Sequence, residues 1–439
     1  MIAAVEIVLL ATLAYAWIGY PLVLAAIVRL GAARRTAPTS ALPGSVSFLF
    51  SAHNEEEHMA ARLDNLLHAV EELRPSGVRS EILAGVDGSD DRTARIARSL
   101  AAGHAEIRVF ESRERRGKMR VVKDLVAAAQ SDVLVLTDAN TFFRPGSTAR
   151  LLRHFTDPAI GGVCGRLVLK GRNQVSGGGE EMSGDRGQGT GRPAEVSDSV
   201  PSIVNRPSSI VNNSLSPETS YWNWEAHLKL LESDLDSCLG ANGAIYAIRR
   251  ELFWKNVPDN TVVDDFVIGM KVREAGRRMV YEPAAVAEEE LPALAHEWRR
   301  RVRIGAGDFQ ALSFCGRCLL PRYGFFAWMF LSHKVLRWFT PHFMVAAVLL
   351  AILHCSLFIV HCPLFLPSII LLAGSLAGLS AWAMGRLARA ANPARRGLVS
   401  LLLLWELFVT MQAALFVGSL RYMRGDLKGH WTRTPRGGV

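Results

Sequence analysis

Unbroken apolar runs mark both ends of the chain. Ile7 to Val28 is 22 residues without Asp, Glu, Lys or Arg, enough at ~1.5 Å per residue to cross a ~30 Å hydrocarbon core. Met1 to Glu6 carries no Lys or Arg, unlike the basic start of a secretory leader. Between Arg337 and Arg386 lie 48 residues without those four charged types. As one helix they would reach ~72 Å, so they predict two spans, turning near His361, Pro363 and Pro367. Gly397 to Leu420 predicts a third C-terminal span, interrupted by Glu406, for which a structural pairing with a neighbouring helix is expected. None of these runs shows a polar face, which argues against helices buried in a soluble core. Tyr323 to Phe339 mixes aromatics with Lys334 and Arg337 and predicts an amphipathic helix lying at the membrane surface.

From residue 36 to about 320 the pattern changes to short apolar runs alternating with helical periodicity, the rhythm of a parallel βαβ sheet. Strands are expected at Ser45–Phe50, Glu81–Val86, Ile107–Phe110 and Val133–Thr137. Helices are expected at Glu55–Glu72, from Asp91, and at Lys118–Ala129. Lys170 to Ser220 breaks the rhythm with Gly, Ser, Pro and Asn, including Gly177-Gly178-Gly179, and reads as a flexible insertion. It holds a small Ser-Ile-Val-Asn repeat and an Asn212-Asn213-Ser214 sequon that a cytosolic location would leave idle.

Composition agrees with a divided chain. Apolar residues make up 49% and charged residues 21%, too apolar for a typical soluble enzyme and too charged for a wholly membrane protein. Arg29, Arg34 and Arg35 follow the first span and place the polar middle in the cytosol. One span before it and three after it put the C-terminus outside, yet the tail from residue 422 is basic. One C-terminal segment is therefore expected to be re-entrant or interfacial. Net charge is +9, but Lys and Arg gather near the spans and the candidate site, which argues against nucleic acid as a partner. Six cysteines form no disulfide framework, and Cys315 and Cys318 are a lone CxxC without a second pair.

Candidate chemistry lies where the predicted strands end, the place where open α/β sheets bind ligands. There stand Asn54-Glu55-Glu56, Asp87-Gly88-Ser89 and Asp138-Ala139-Asn140. Asp87 can accept hydrogen bonds from a base or ribose, or can be an ordinary turn residue. Asp138 and Asn140 offer two hard oxygen donors suited to Mg²⁺ or Mn²⁺. Lys118 opens a helix, where backbone N–H groups favour phosphate. Adjacent Asp264 and Asp265 can raise one another's pKa as a general base requires, or simply begin a helix. The run Arg299, Arg300, Arg301 and Arg303 can be a solvated face, a lipid stripe or a diphosphate clamp.

Their order adds what no single motif supplies. The text runs Ser-Ala-His-Asn-Glu-Glu (51–56), Val-Asp-Gly-Ser-Asp-Asp-Arg-Thr (86–93), Arg-Gly-Lys (116–118) and Leu-Thr-Asp-Ala-Asn-Thr (136–141). It continues with Gly-Ala-Asn-Gly-Ala-Ile-Tyr (240–246), Val-Asp-Asp-Phe (263–266) and Arg-Arg-Val-Arg-Ile (300–304). With the spans included, it resembles the membrane-integrated family 2 glycosyltransferases, relatives of the cellulose, hyaluronan, chitin and poly-N-acetylglucosamine synthases. The resemblance implies a cytosolic GT-A (Rossmann-like) α/β domain, residues 36–320, with transmembrane helices at 1–30 and 341–421. It also implies an interfacial helix at 321–340, a basic tail at 422–439, and a multi-pass location of the bacterial inner-membrane type.

The family's roles carry over residue by residue. Asp87 is placed like the uridine-contacting aspartate, and Asp138 like the first member of the metal-binding pair. Asp265, beside Asp264, matches the catalytic base. Arg300 and Arg303 resemble the motif that flanks acceptor and diphosphate. Lys118, with Asn54 and Glu56, falls near the nucleotide-sugar. Three departures matter: Asn140 stands for the second aspartate of the metal pair, Asp264 for a glutamate, and Ile304 for the tryptophan that holds a growing chain. The implied reaction is inverting transfer from a UDP-sugar to a polysaccharide or glycan acceptor, with Mg²⁺ or Mn²⁺ as cofactor. Single-sugar transfer to a lipid, such as a polyprenyl phosphate or a ceramide-like alcohol, is the alternative. A non-catalytic membrane scaffold is more remote, and a transporter is disfavoured by the scarcity of polar groups in the spans.

Overall fold

Residues 45–136 fold as the alternation predicts: strand, helix, strand, helix, strand, helix, strand. The protein, a computed structural model, is described at residues 2–32, 39–170, 217–290, 294–357, 366–391 and 398–427. The insertion (171–216), the turn at 358–365, the loop at 392–397 and the end of the basic tail (428–439) lie outside the described residues.

β1 (Ser45–Ala52), β2 (Arg79–Asp87), β3 (Ile107–Ser112) and β4 (Val133–Leu136) alternate with α3 (Glu56–Leu73), α4 (Thr93–Gly103) and α5 (Lys118–Ala128). They pair in parallel in the order β3-β2-β1-β4. Because successive side chains point to opposite faces, Phe48 and Phe50 of β1 enter the core beneath α3 and α4, while Leu49 enters the one beneath α5. A strand buried on both faces reads as the continuous apolar run seen in the sequence.

The sheet is not wholly parallel, and here the structure corrects the sequence reading. Beyond β4 come β7 (Tyr246–Arg249), β6 (Ile160–Lys170), β8 (Arg278–Glu290) and β5 (Thr141–Phe143), giving eight strands in one mixed sheet. β4–β7, β6–β7 and β5–β8 are antiparallel, and β6–β8 is parallel. These pairings join residues up to 148 positions apart, as where Thr141 of β5 faces Glu289 of β8, so no local periodicity announces them. Four helices flank this half among the described residues: α6 (Ser147–Leu152), α7 (Pro217–Leu235), α8 (Asp264–Glu274) and α9 (Leu294–Cys315).

The apolar ends are helical. α1 (Ile2–Ala14) and α2 (Tyr20–Ile27) form one continuous rod from Ile2 to Gly31. At the other end stand α12 (Thr340–Leu357), α13 (Leu366–Ala391) and α14 (Leu398–Met423). Among the described residues three helices are long and apolar enough to cross a membrane, Ile2–Gly31, Ser368–Leu387 and Leu401–Met423, or four if the bent pair Phe325–Trp338 and Thr340–Ser356 counts as one span. Their outward side chains, among them Val8, Leu22, Ile370, Leu376 and Leu401, are more than half exposed, a surface expected against lipid rather than water. Inside the bundle, Ser368 donates to buried Glu6 at 2.8 Å, and buried Glu406 faces Arg386 at 3.8 Å. Glu406 thus meets the neighbouring helix, as its place in the span suggested.

The segment expected as a uniform amphipathic surface helix is different. It comprises α10 (Phe325–Met329), a π-helical turn (Phe330–Val335) and α11 (Leu336–Trp338), bent by 57° from α12. Phe326, Phe330, His333, Arg337 and Trp338 are buried. Its polar residues turn inward because α7 carries their counter-charges. Glu225 accepts from Arg337 at 2.8 Å, Lys334 at 3.3 Å and His333 at 3.2 Å. Glu232 accepts from Tyr20 at 2.7 Å and pairs with the other ring nitrogen of His333.

α9 crosses α14 at close range. A Cβ on Gly418 would lie 2.6 Å from the Ala306 nitrogen, and one on Gly305 would lie 3.0 Å from Leu415 Cα. Glycines at both positions let the sheet domain rest directly on the last apolar helix.

Candidate active site

A cavity of about 540 Å³ opens at the carboxyl ends of β1, β2 and β4 and runs beneath α9 to α14. At its upper end the Asp87 carboxylate accepts from the Arg116 and Gly117 amides at 2.6 and 2.8 Å. Asp87 thereby fixes the loop that leads into α5, and His53 bonds its carbonyl at 2.7 Å. Gly88 makes the turn possible: its φ is +59°, and a Cβ there would sit 2.5 Å from the Arg115 nitrogen.

That loop delivers Lys118 between two acidic groups. Its ammonium donates to Asp138 at 3.1 Å and pairs with Asp264 at 3.2 Å. Burial alone would lower its pKa, but the facing carboxylates of Asp138, Asp264 and Asp265 raise it above the ordinary lysine value, so it stays charged. Asp138 lies beyond β4, in a turn held by Thr137, whose hydroxyl donates to the Ala244 carbonyl at 2.7 Å. Fully buried Arg62 supports that turn, donating to Thr137 at 2.7 Å and lying 4.5 Å over the Phe143 ring. Burial lowers its guanidinium to about 9.

The Gly-Ala-Asn-Gly-Ala-Ile-Tyr segment closes the other wall. Asn242 donates to the Gly165 carbonyl at 2.7 Å and accepts from the Ile245 amide at 3.2 Å. A Cβ on Gly243 would fall 2.9 Å from an Asp138 oxygen and 3.5 Å from an Asp265 oxygen. Glycine there keeps the space between the two carboxylates open.

Asp264 and Asp265 begin α8, where the helix dipole favours negative charge. Asp265 accepts from its neighbour's amide, Phe266, at 2.8 Å. Burial, reinforced by Asp264, pushes its carboxyl up to about 6. α9 secures the approach to this pair: Gln310 accepts from the Val262 amide at 3.0 Å and donates to the Asn260 carbonyl at 3.2 Å. Arg300 and Arg303 of α9 line the same cavity.

Asp87, Lys118, Asp138, Asn140, Asp264, Asp265, Arg300 and Arg303 therefore converge on one cavity. Asn54 and Glu56 do not line it; their neighbours His53 and Glu55 do. Asn54 accepts from the Asp90 amide at 2.9 Å, and Glu56 holds Arg92 at 2.9 Å. Both stitch the end of β1 to the loop after β2. The sequence reading missed Asp308, Lys229 and Glu289, which also line the cavity. Spacing could have flagged Asp308, one helical turn beyond Ile304 on the face that follows the arginines.

The residues present suit a divalent cation. Among the described residues no three His, Cys, Asp or Glu side chains form a metal cage. Asp138 keeps 36% of its side chain open beside Asn140, and Asn140 donates to Glu289 at 3.4 Å. One or two oxygen ligands completed by substrate phosphates is the usual way a protein holds Mg²⁺.

Fold and site together define a GT-A (Rossmann-like) α/β domain with acidic groups gathered at the carboxyl edge of its sheet. Residues 43–304, more than half of the chain, match the model of the "Glycosyltransferase like family 2", and the chain belongs to that family. It is 29% identical over 114 residues to the succinoglycan biosynthesis protein ExoU of Rhizobium meliloti, covering 26% of this chain and 31% of that one. It is 27% identical over 147 residues to an N-acetylglucosaminyltransferase of Rhizobium leguminosarum bv. trifolii, covering 32% of this chain and 76% of that one. The chain thus matches about a third of the length of the first of these relatives. Its fold is similar to that of the mannosyltransferase PcManGT from Pyrobaculum calidifontis, solved with GDP-Man and Mn²⁺. The TM-score is 0.62 at 20% identity, over 96% of this chain and 99% of that one.

Proposed function

We propose that the protein is a membrane-bound enzyme that transfers a sugar, with inversion, from a nucleoside diphosphate sugar to an amphipathic acceptor held at the bilayer. One observation carries this reading: the cavity that begins at Asp87 and Asp138 continues to Trp17, Leu407, Met411 and Leu415 on the apolar helices. An acceptor with an apolar anchor can thus reach Asp265 without leaving the membrane side.

In this mechanism Asp265 takes the proton of the acceptor hydroxyl as its oxygen attacks the anomeric carbon from the face opposite the leaving group. The bond to the nucleoside diphosphate breaks, and Lys118, Arg300 and Arg303 meet the charge that develops on it. Asp138 and Asn140 would hold a divalent cation, which when bound supplies further charge neutralisation at the diphosphate. Asp87, by fixing the 113–117 loop, shapes the wall beside the nucleotide. UDP was the donor expected from the motifs; the similar mannosyltransferase holds GDP-Man, so both nucleotides belong in the test. Ile304 supplies no aromatic platform for a growing chain, which favours single transfer over polymerisation.

The test is to incubate membranes containing the full chain with labelled UDP- and GDP-sugars and to size the product. A single labelled glycolipid is expected. A polymer ladder would overturn the single-transfer reading, and no transfer from any donor would overturn the enzyme assignment.

A further inference from the structure

The membrane end of the cavity contains several charges, and most of them already have partners. Lys334 and Arg337 are held by Glu225, and His333 lies between Glu225 and Glu232. Asp308 is different. It projects from α9 into the cavity one turn beyond Ile304, and it makes no hydrogen bond or ion pair with any described residue. The charges that act on it are Lys334, whose ammonium Glu225 holds, and Asp265. Burial pushes its carboxyl up to about 7, with Asp265 adding to the rise and Lys334 opposing it. Lys229, a lining cation of α7 also without such a bond, faces Cys164, Cys238, Tyr281 and Glu225 rather than Asp308.

We infer that Asp308 is a specificity-determining residue that accepts a hydrogen bond from a hydroxyl of the acceptor, and that it selects acceptors whose nucleophile is a saccharide or alcohol hydroxyl over those whose nucleophile is a phosphate. The inference rests on the transferase reading above and narrows its acceptor. An unpartnered carboxylate lining a cavity is matched by a donor group of the ligand that fills it, and hydroxyls are the donors of sugars and alcohols. A phosphate nucleophile would have to approach Asp264, Asp265 and Asp308 together, where like charges repel. It would gain less from Lys334 and Arg337, because both already pair with Glu225. A hydroxyl nucleophile meets none of that repulsion, and its proton has an acceptor in Asp265.

The experiment uses the purified full chain in detergent, with UDP- and GDP-sugars as donors and two kinds of amphiphilic probe. Octyl glycosides of several sugars offer hydroxyls; undecaprenyl phosphate offers a phosphate. The wild type is expected to glycosylate an octyl glycoside in preference to the phosphate. Asp308→Leu should raise the acceptor KM about tenfold or more, the scale of one hydrogen bond to a charged group. Donor KM should stay unchanged, and the slow hydrolysis of donor without acceptor should fall by less than transfer does. Asp308→Asn, which keeps a carbonyl acceptor and the side-chain shape, should retain octyl glycoside transfer and shift the ratio of the two products toward the phosphate. Thermal unfolding of each variant checks that the fold is intact. Preference of the wild type for undecaprenyl phosphate, donor hydrolysis without transfer to any octyl glycoside, or unchanged acceptor KM in Asp308→Leu would each overturn the inference. Equal loss of donor hydrolysis and transfer would also overturn it, by reducing Asp308 to a structural role. Absence of donor hydrolysis in the wild type would instead bring down the transferase reading itself.

Discussion

The two ends of the cavity are built on different principles. The donor end is assembled from strand ends and the turns that follow them: Asp87 after β2, Asp138 after β4, Lys118 at the start of α5. These residues are framed by backbone groups of the sheet and its loops, as when Asp87 binds the amides of Arg116 and Gly117, 29 and 30 residues further on. The acceptor end has no such backbone frame. It is assembled from three helices and the bent 325–338 segment, held together by charges far apart in sequence: Glu225 with Arg337, 112 residues away, and Glu232 with Tyr20, 212 residues away. Chemistry common to many sugar transfers can be fixed by a rigid sheet, while the part that meets a particular acceptor is carried by helices whose pairings can change.

The sharpest way to break this comparison is to remove the base where the two ends meet. Asp265→Asn should lower the transfer rate by ~10²–10⁴-fold, the usual contribution of a general base, with nucleotide binding retained. Single-turnover kinetics beside isothermal titration with UDP and GDP would separate the two effects. Because the Asp265 carboxyl is raised to about 6, and only its ionised form can take a proton, wild-type kcat should fall as pH drops through that value. A rate indifferent to pH between 5 and 8 would remove Asp265 from that role.

A comparable effect, read as stability, belongs to the acceptor end. Glu225→Ala leaves Lys334, Arg337 and His333 without their shared anion and should cost ~3–5 kcal/mol, the range for breaking a buried ion pair. Burial alone would raise the Glu225 carboxyl, but Lys334, His333 and Arg337 hold it well below the ordinary range. A depressed acid contributes stability that is fully present above its unfolded pKa, ~4.3 for Glu, and lost as pH falls through the folded value. The difference in unfolding temperature between wild type and Glu225→Gln should therefore be constant from pH 8 down to about 4.5 and shrink below that. If it shrinks already near neutrality, the network is not held by an ionised Glu225.

The same division decides what the sequence could reveal. β1 to β4 and their helices were legible because apolar runs and helical periodicity are local, and Asp87, Asp138 and Asp265 because ligands gather at strand ends and helix starts. Asn54 and Glu56 were misplaced by the same rule: nearness to a strand end does not say whether a side chain faces the crevice or the next loop, and Asp90 and Arg92 draw these two outward. The mixed half of the sheet was not legible, since β6 pairs with β7 and β8 across more than 80 residues of sequence. Nor was the inward turn of His333, Lys334 and Arg337, which depends on carboxylates a hundred residues upstream. Asp308 looks like any helical aspartate until the absence of a partner distinguishes it.

Two smaller changes sharpen the contrast. At the acceptor end, Gly418→Leu would force side-chain atoms into the backbone of α9, where even a Cβ lies 2.6 Å from Ala306. Pushing α9 off α14 should cost ~1–3 kcal/mol, as overpacking does, and should raise the acceptor KM more than the donor KM. Equal changes in both would mean that α14 supports the whole fold rather than the acceptor floor.

At the donor end the smallest effect is expected from Asn140→Asp. In the proposed metal site Asn140 would offer a neutral oxygen beside Asp138, and it donates to Glu289 at 3.4 Å. An aspartate there adds a negative ligand for a hard cation but places a second carboxylate against Glu289, where like charges repel. The gain should therefore be modest, about tenfold or less in Mn²⁺ affinity, read by the paramagnetic signal of bound Mn²⁺ in the presence of nucleoside diphosphate. A companion Glu289→Gln in the Asn140→Asp background should raise the affinity again if repulsion limits the gain, and lower it if Glu289 is itself a ligand. The sign of that second step states whether the charge missing from the metal pair is supplied by β8.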